Sequence, residues 1–374
     1  MKLLFIGHYK EGTGWSQAAL NSIKALDSTD LDVVCRNIKL TNANPTIDPQ
    51  ILGLEMKDLE DVDYCIQNVL PHHMVGTSKF KKNIAYFVSE SNTLRHNGWL
   101  DNLRVMDEVW IPNYELKQML LNDGIEESKI RVVPYAFDIL KYSRKYPKIN
   151  FYDKKNTFKF YYIGELNDRK NIESIIRCFH SEFENYEPVS LVLKVKRHGI
   201  SSGDLEKYMT NLSKSVKEEL RIYKNTEDYL PEIVIANNIS DDDIQVLHNT
   251  CDCFVGPTHG EGWSIPAFEA MAYGKTPICS NEGGPKDFID ANNKSTGWLV
   301  NGVKDICTHS DPAFPELFTG REEWFHPSES EIKKAMRFYY ENKDNIDRSA
   351  GLSRAECFSY SNIGQLIMEI LNDK

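Results

Sequence analysis

Short runs of β-branched and aromatic residues alternate along this chain with longer stretches whose apolar residues recur every three or four positions. Runs of the first kind lie near residues 2–8, 31–37, 62–68, 83–89, 108–112 and 130–136, and again near 158–164, 190–196, 232–236, 253–257, 276–280 and 298–300. Each is short and bounded by turn formers, which predicts a buried strand. Between them, sets such as Ala18, Ala19, Leu20, Ile23 and Leu26, or Ile172, Ile175, Ile176 and Phe179, have the spacing of one helical face. Strand and helix in alternation predict an α/β fold of parallel sheets covered by helices. The scheme runs through once in each half, so two Rossmann-like, doubly wound domains are expected. Charge and proline cluster without apolar periodicity at Lys141-Tyr142-Ser143-Arg144-Lys145-Tyr146-Pro147-Lys148 and at Asp153-Lys154-Lys155-Asn156, which predicts the linker. That divides the chain into 1–148 and 149–358. A final helix, 359–374, carries Ile363, Leu366, Ile367, Ile370 and Leu371 as an apolar stripe that must dock on another element.

Composition supports this division and narrows the partners. A chain of 374 residues suits two cores rather than one, and 41% hydrophobic with 11% aromatic content is that of a folded chain. The formal net charge of -11 argues against nucleic acid as a partner. No apolar run approaches the roughly 20 residues that span a bilayer, so no integral membrane segment is expected. Lys2-Leu3-Leu4-Phe5-Ile6-Gly7 reads as a first strand, not a signal peptide, because no small-residue cleavage site follows it. The eight cysteines are scattered through apolar contexts, which makes the cytoplasm the expected compartment. Cys251 and Cys253 make only a C-x-C pair, and no second Cys or His cluster has zinc spacing, so no metal is expected.

The densest chemistry lies in Glu261-Gly262-Trp263-Ser264-Ile265-Pro266-Ala267-Phe268-Glu269. The run Asp252-Cys253-Phe254-Val255-Gly256-Pro257 before it reads as a short strand, which places Glu261 in the loop beyond the strand's carboxyl end, where open α/β sheets bind ligands. Ser264 suits an N-cap, Pro266 the first helical turn and Gly274 the position after the helix, so Glu269 falls about one turn into a helix. A carboxylate accepts two hydroxyls side by side, as a sugar or ribose diol offers them. Gly262 lets the backbone approach. A second site precursor follows the strand at 158–164, where Glu165-Leu166-Asn167-Asp168-Arg169-Lys170-Asn171 opens a helix. Cations at a helix N-terminus oppose its dipole, an arrangement that suits an arriving anion such as a diphosphate; two solvated charges would give the same pattern.

The first of these segments resembles the E-x7-E signature of the retaining, nucleotide-sugar-dependent glycosyltransferases of family 4, with Gly262, Pro266, Ala270, Met271 and Gly274 also in register. The resemblance implies the GT-B fold, two Rossmann-like domains facing across a cleft with the C-terminal helix crossing back to the first. It implies transfer of a hexosyl group from a UDP- or GDP-sugar to an acceptor hydroxyl with retention, without a metal or other cofactor. The implied partners are the donor and a hydroxyl acceptor, whether glycan, lipid-linked sugar, small molecule or another hydroxyl compound. Residues 1–148 would then be the acceptor side and 149–358 the donor side. Glu261 would hold donor-sugar hydroxyls, Glu269 the ribose, and Lys170 the departing diphosphate. Many relatives carry Arg at the position of Glu165, so Arg169 stands as the substitute cation.

Other segments point to the same ligands less specifically. After the first strand, Gly12 and Gly14 free a loop to bring amides to a ligand, although an ordinary tight turn reads the same. Gln17 stands where a dinucleotide fingerprint needs its third small residue, which disfavours a dehydrogenase. His72 and His73 follow the third strand, Glu90 and Asn92 the fourth, and these four are acceptor-side candidates. His259, Trp263 and Ser264 join the donor list beside Glu261. Asn281-Glu282-Gly283-Gly284-Pro285 reads as helix amides facing a crevice or as a plain turn, and Lys194, Lys196 and Arg197 read as a solvated sheet rim. Two other functions keep the same residues: a nucleotide-sugar epimerase, and a non-catalytic nucleotide-sugar or carbohydrate binder.

Overall fold

In the computed structural model, which describes residues 1–43, 45–151, 157–307 and 318–373, the chain forms two compact units. One holds Met1–Ile139 and the last segment from Glu356; the other begins at Leu140 and takes in Glu323–Ala355. The expected linker stretch Asp153-Lys154-Lys155-Asn156 lies outside the described residues.

The first unit is built on β1 (Lys2–Gly7), β2 (Asp32–Asn37), β3 (Tyr64–Asn68), β4 (Lys82–Tyr86), β5 (Glu108–Ile111) and β6 (Ile130–Val132). They lie in the order β2-β1-β3-β4-β5-β6, and every pairing is parallel. Leu3, Phe5, Val33, Ile66, Ile84, Val109 and Trp110 are buried with both sheet faces covered, which is why these strands read as apolar runs rather than alternating ones. The apolar stripe of the final helix, Tyr360–Asn372, docks on helix Gly14–Asp27 of the same unit: Tyr360 donates to Asn21 Oδ1 at 2.9 Å, and a Cβ on Gly364 would stand 2.6 Å from the Ala25 carbonyl.

The second unit repeats the plan with β7 (Phe158–Glu165), β8 (Val189–Lys196), β9 (Glu232–Ile235), β10 (Cys253–Gly256), β11 (Ile278–Ser280) and β12 (Trp298–Val300), all parallel in the order β12-β11-β10-β7-β8-β9. A feature the periodicity does not announce is the antiparallel pair β13 (Gly302–Ile306) and β14 (Glu323–Pro327). Its first strand is exposed along its whole length, so it lacks the buried run that marks the other strands.

Each sheet has a point where the chain reverses its direction of winding, between β1 and β3 in the first and between β7 and β10 in the second. Loops leaving the carboxyl ends of strands at such a point diverge and leave a crevice for ligands. Gly12 and His72–His73 follow β1 and β3; Arg169–Lys170 and Glu261 follow β7 and β10.

Candidate functional site

The loop after β7 turns through a 3₁₀ segment, Asp168–Lys170, before helix Ile172–Glu182 begins. Asn167 caps the turn by accepting the Lys170 amide at 3.2 Å, and Asn171 joins turn to helix in the left-handed region at φ +54°. Arg169 and Lys170 therefore stand just before the helix, at its N-terminus, as the sequence suggests. Their side chains converge on the loop after β10. Lys170 Nζ lies 2.6 Å from Glu261 Oε2; Arg169 Nη1 donates to the Gly260 carbonyl at 2.7 Å and stands 3.5 Å from the same carboxylate oxygen. Burial favours the neutral acid at Glu261, but the two cations and the Ser264 amide outweigh it and hold the carboxyl below its ordinary range. It is an anion, clamped from the β7 side.

Ser264 occupies the residue before helix Ile265–Ala272, as expected, but without a capping bond from its side chain. Its backbone is left-handed, φ +69°, and turns its amide to Glu261. The loop is held from behind by Gly283 and Gly284. A Cβ on Gly283, itself at φ +64°, would come within 1.9 Å of the Glu261 carbonyl, and one on Gly284 within 2.3 Å of Trp263 Cα. The Gly284 amide donates to the Glu261 carbonyl at 3.1 Å. The Gly-Gly-Pro turn thus sets the height of the Glu261 loop. Trp263 is 2% exposed and packs against Phe268 and Phe288. His259 stacks on Trp324 of β14 at 5.3 Å, its amide donates to the Arg169 carbonyl at 2.8 Å, and its own carbonyl accepts the Phe325 amide at 2.9 Å, so β14 ties the two site loops together.

Glu269 lies inside helix Ile265–Ala272 and is 7% exposed. Lys141 Nζ meets its Oε1 at 2.7 Å, and His248 Nε2, on helix Asp241–Thr250, stands 3.5 Å from Oε2. Tyr161 of β7 reaches the other ring nitrogen of His248 at 2.7 Å. Burial pushes the Tyr161 phenol well up and the His248 imidazole down, so a protonated tyrosine donating to Nδ1 fits a neutral imidazole whose Nε2 faces Glu269 without hydrogen-bonding to it. Burial opposes ionisation of Glu269, yet Lys141 and His248 draw its carboxyl down to about 2. Lys141, Tyr161 and His248 are the participants sequence reasoning missed: Lys141 falls in the predicted linker, whereas it belongs to a short helix, Ile139–Tyr142, and Tyr161 and His248 carry apolar-face positions with no motif of their own.

The first-unit candidates are placed separately. Gly12, at φ +64°, precedes Thr13, whose side chain caps helix Gly14–Asp27, with Gly14 as its first residue. His72 and His73 are exposed on a 3₁₀ turn, Pro71–His73, with rings 4.0 Å apart. Glu90 and Asn92 are half-buried in the loop beyond β4. Among the described residues no group of three or more His, Cys, Asp or Glu is arranged to hold a metal ion, and no helix is long and apolar enough to cross a membrane.

Residues 145–306 match the family model described as glycosyl transferases group 1. The serotype-specific mannosyltransferase WbdA of Escherichia coli is 28% identical over 125 residues, 32% of this chain but 13% of that protein, so the chain corresponds to a small part of that relative's length. The fold matches HepE of Anabaena, solved with UDP and glucose, at 14% identity over 99% of each chain with a TM-score of 0.66. It also matches sucrose-phosphate synthase from Thermosynechococcus elongatus at 13% identity over 99% and 98% of the two chains, TM-score 0.67. At these identities the likeness speaks for architecture: two Rossmann-like units of the GT-B class.

Proposed function

We propose that this chain, which carries a glycosyl transferases group 1 domain, moves a hexosyl group from a nucleoside diphosphate sugar to an acceptor hydroxyl, with retention at the anomeric carbon and without a metal. The observation that carries the reading is the ionised Glu261 held at the crevice of β7 and β10 by Arg169 and Lys170. Two cations converging on one carboxylate beside a strand's carboxyl end suit a site that admits the donor's diphosphate.

As the glycosidic bond breaks, negative charge grows on the diphosphate. Fixed donors such as Arg169 and Lys170 stabilise that charge at little reorganisation cost, and stabilisation of this kind usually lowers the barrier more than any other single effect. Glu261 accepts hydroxyls of the sugar while its charge favours the electron-poor anomeric carbon of the transition state. Glu269, anionic and half-satisfied by Lys141, accepts the ribose diol. Neither acts as a covalent nucleophile in this scheme: Glu261 is already engaged with its cations, and the double displacement of a retaining glycosidase needs two carboxyls about 5 Å apart across the bond. The exposed His72 and His73, with Glu90 and Asn92, serve the acceptor. A UDP-sugar is the first donor to try, in line with the ligands of the Anabaena protein, and a GDP-sugar the second. The cytoplasm, where nucleotide sugars are available, is the proposed location.

The test is incubation with UDP- and GDP-hexoses, with and without a panel of glycan, lipid-linked and small hydroxylated acceptors, followed by NMR of the products. Acceptor-dependent appearance of a glycoside with the donor's anomeric configuration supports the proposal. Inversion would remove the retaining assignment. Conversion of the donor to an isomeric nucleotide sugar without acceptor would replace transfer by epimerisation.

A further inference from the structure

Lys194 lies on β8 and is 6% exposed, not on the solvated rim that its sequence neighbourhood suggests. Paired residues in a parallel sheet share a face, and side chains alternate along each strand. The register Tyr161↔Val192 and Ile163↔Lys194 therefore puts Lys194 on the face from which Tyr161 reaches His248, itself beside Glu269, two residues nearer the carboxyl edge. β8 neighbours β7 directly, so the ammonium belongs to the strand next to the Arg169–Lys170 loop. Its hydrogen bond is to the carbonyl of Val195 on its own strand, 3.1 Å away. Burial pushes the amine down, Lys196 adds to the effect, and among the described residues no carboxylate acts on it in the other direction.

A buried cation without a carboxylate is costly unless an anion joins it. At the donor site Arg169 and Lys170 meet Glu261, and Lys141 meets Glu269. A nucleoside diphosphate sugar brings two negative charges on its bridging phosphates. Lys194 would supply a further cation to meet them. Its flexible stem can leave a backbone carbonyl at small cost, whereas a neutral base edge would leave the charge uncompensated.

We infer that Lys194 is a phosphate-binding residue of the donor site, engaging the nucleotide's diphosphate alongside Arg169 and Lys170. The inference rests on the nucleotide-sugar reading given above. Calorimetric titrations of the full chain and of Lys194→Met with UDP and GDP, with saturation-transfer NMR for uridine and guanosine, test it, and thermal unfolding is followed in parallel. The expected result is a loss of at least tenfold in diphosphate affinity, no change in nucleoside binding, and a melting temperature equal to or above that of the parent. Equal losses for nucleoside and diphosphate would overturn the assignment in favour of a base contact or a structural role. Unchanged diphosphate binding by Lys194→Met would overturn this inference alone, whereas failure of the parent chain to bind either nucleotide would overturn the functional reading with it.

Discussion

Replacing Lys141 by Met removes the cation from Glu269 while keeping the volume of the stem. Glu269 has a carboxyl drawn from its ordinary 4.5 down to about 2 by its folded surroundings. At 1.36 kcal/mol per pH unit the whole set of interactions is worth about 3 kcal/mol at neutral pH. The charge of Lys141 is the largest single favourable cause, so on the order of 2 kcal/mol of that is expected to go with it, or roughly 4 to 8 °C in the melting temperature of a unit of this size. Because the folded-state value is the depressed one, the contribution is complete above pH 4.5 and is lost as pH falls from there towards 2. The difference between parent and Lys141→Met should accordingly be constant from pH 8 to pH 5 and shrink at pH 3, other carboxylates cancelling between the two proteins. Thermal unfolding by circular dichroism at pH 7.5, 5 and 3 measures it. Full stability of the variant at pH 7.5, or a difference that persists undiminished at pH 3, would refute the charge argument.

Gly283→Ala forces a Cβ against the Glu261 carbonyl at a left-handed position; a destabilisation of a few kcal/mol in urea unfolding and a weakened donor affinity are expected, and an unperturbed variant would show that the turn does not support the loop. Glu232 is buried between His180, Lys217 and Ser213, with its carboxyl at about 2; Glu232→Gln should cost about 3 kcal/mol at pH 7, again a loss that disappears between pH 4.5 and 2, as pH-dependent melting will show. His72→Ala and His73→Ala change exposed side chains, so melting and donor affinity should stay within error while turnover falls in at least one of them; unchanged turnover in both would remove them from the acceptor site.

Much of this structure is legible in the sequence because both sheets are covered on two faces, and a strand such as Leu3–Phe5 or Leu191–Leu193 then appears as an uninterrupted apolar run. The exposed β13 has no such run and leaves no trace of this kind. The E-x7-E spacing likewise locates Glu261 and Glu269, since loop and helix residues eight apart remain in one local segment. Their partners are long-range. Lys141 comes from 128 residues before Glu269 and no local pattern announces it; Lys170 is marked by its own loop, but it lies 91 residues before Glu261, so the pairing of the two is not readable locally. Ser264 shows a subtler divergence: the residue type suits a cap, but the need to aim its amide at Glu261 puts its backbone in the left-handed region instead. Lys194 departs from expectation for the opposite reason, because a charged residue near a strand end is usually solvated.

Everything proposed for this chain depends on the paired cations and carboxylates of the second unit binding a nucleoside diphosphate sugar. Calorimetric titration with uridine, guanosine and adenosine diphosphate sugars, repeated on Glu269→Ala and Lys170→Ala, tests it most directly. At least one donor should bind the parent chain, and each substitution should weaken that binding by tenfold or more. Absence of binding by any of the three classes, or affinity unchanged in both variants, would contradict it.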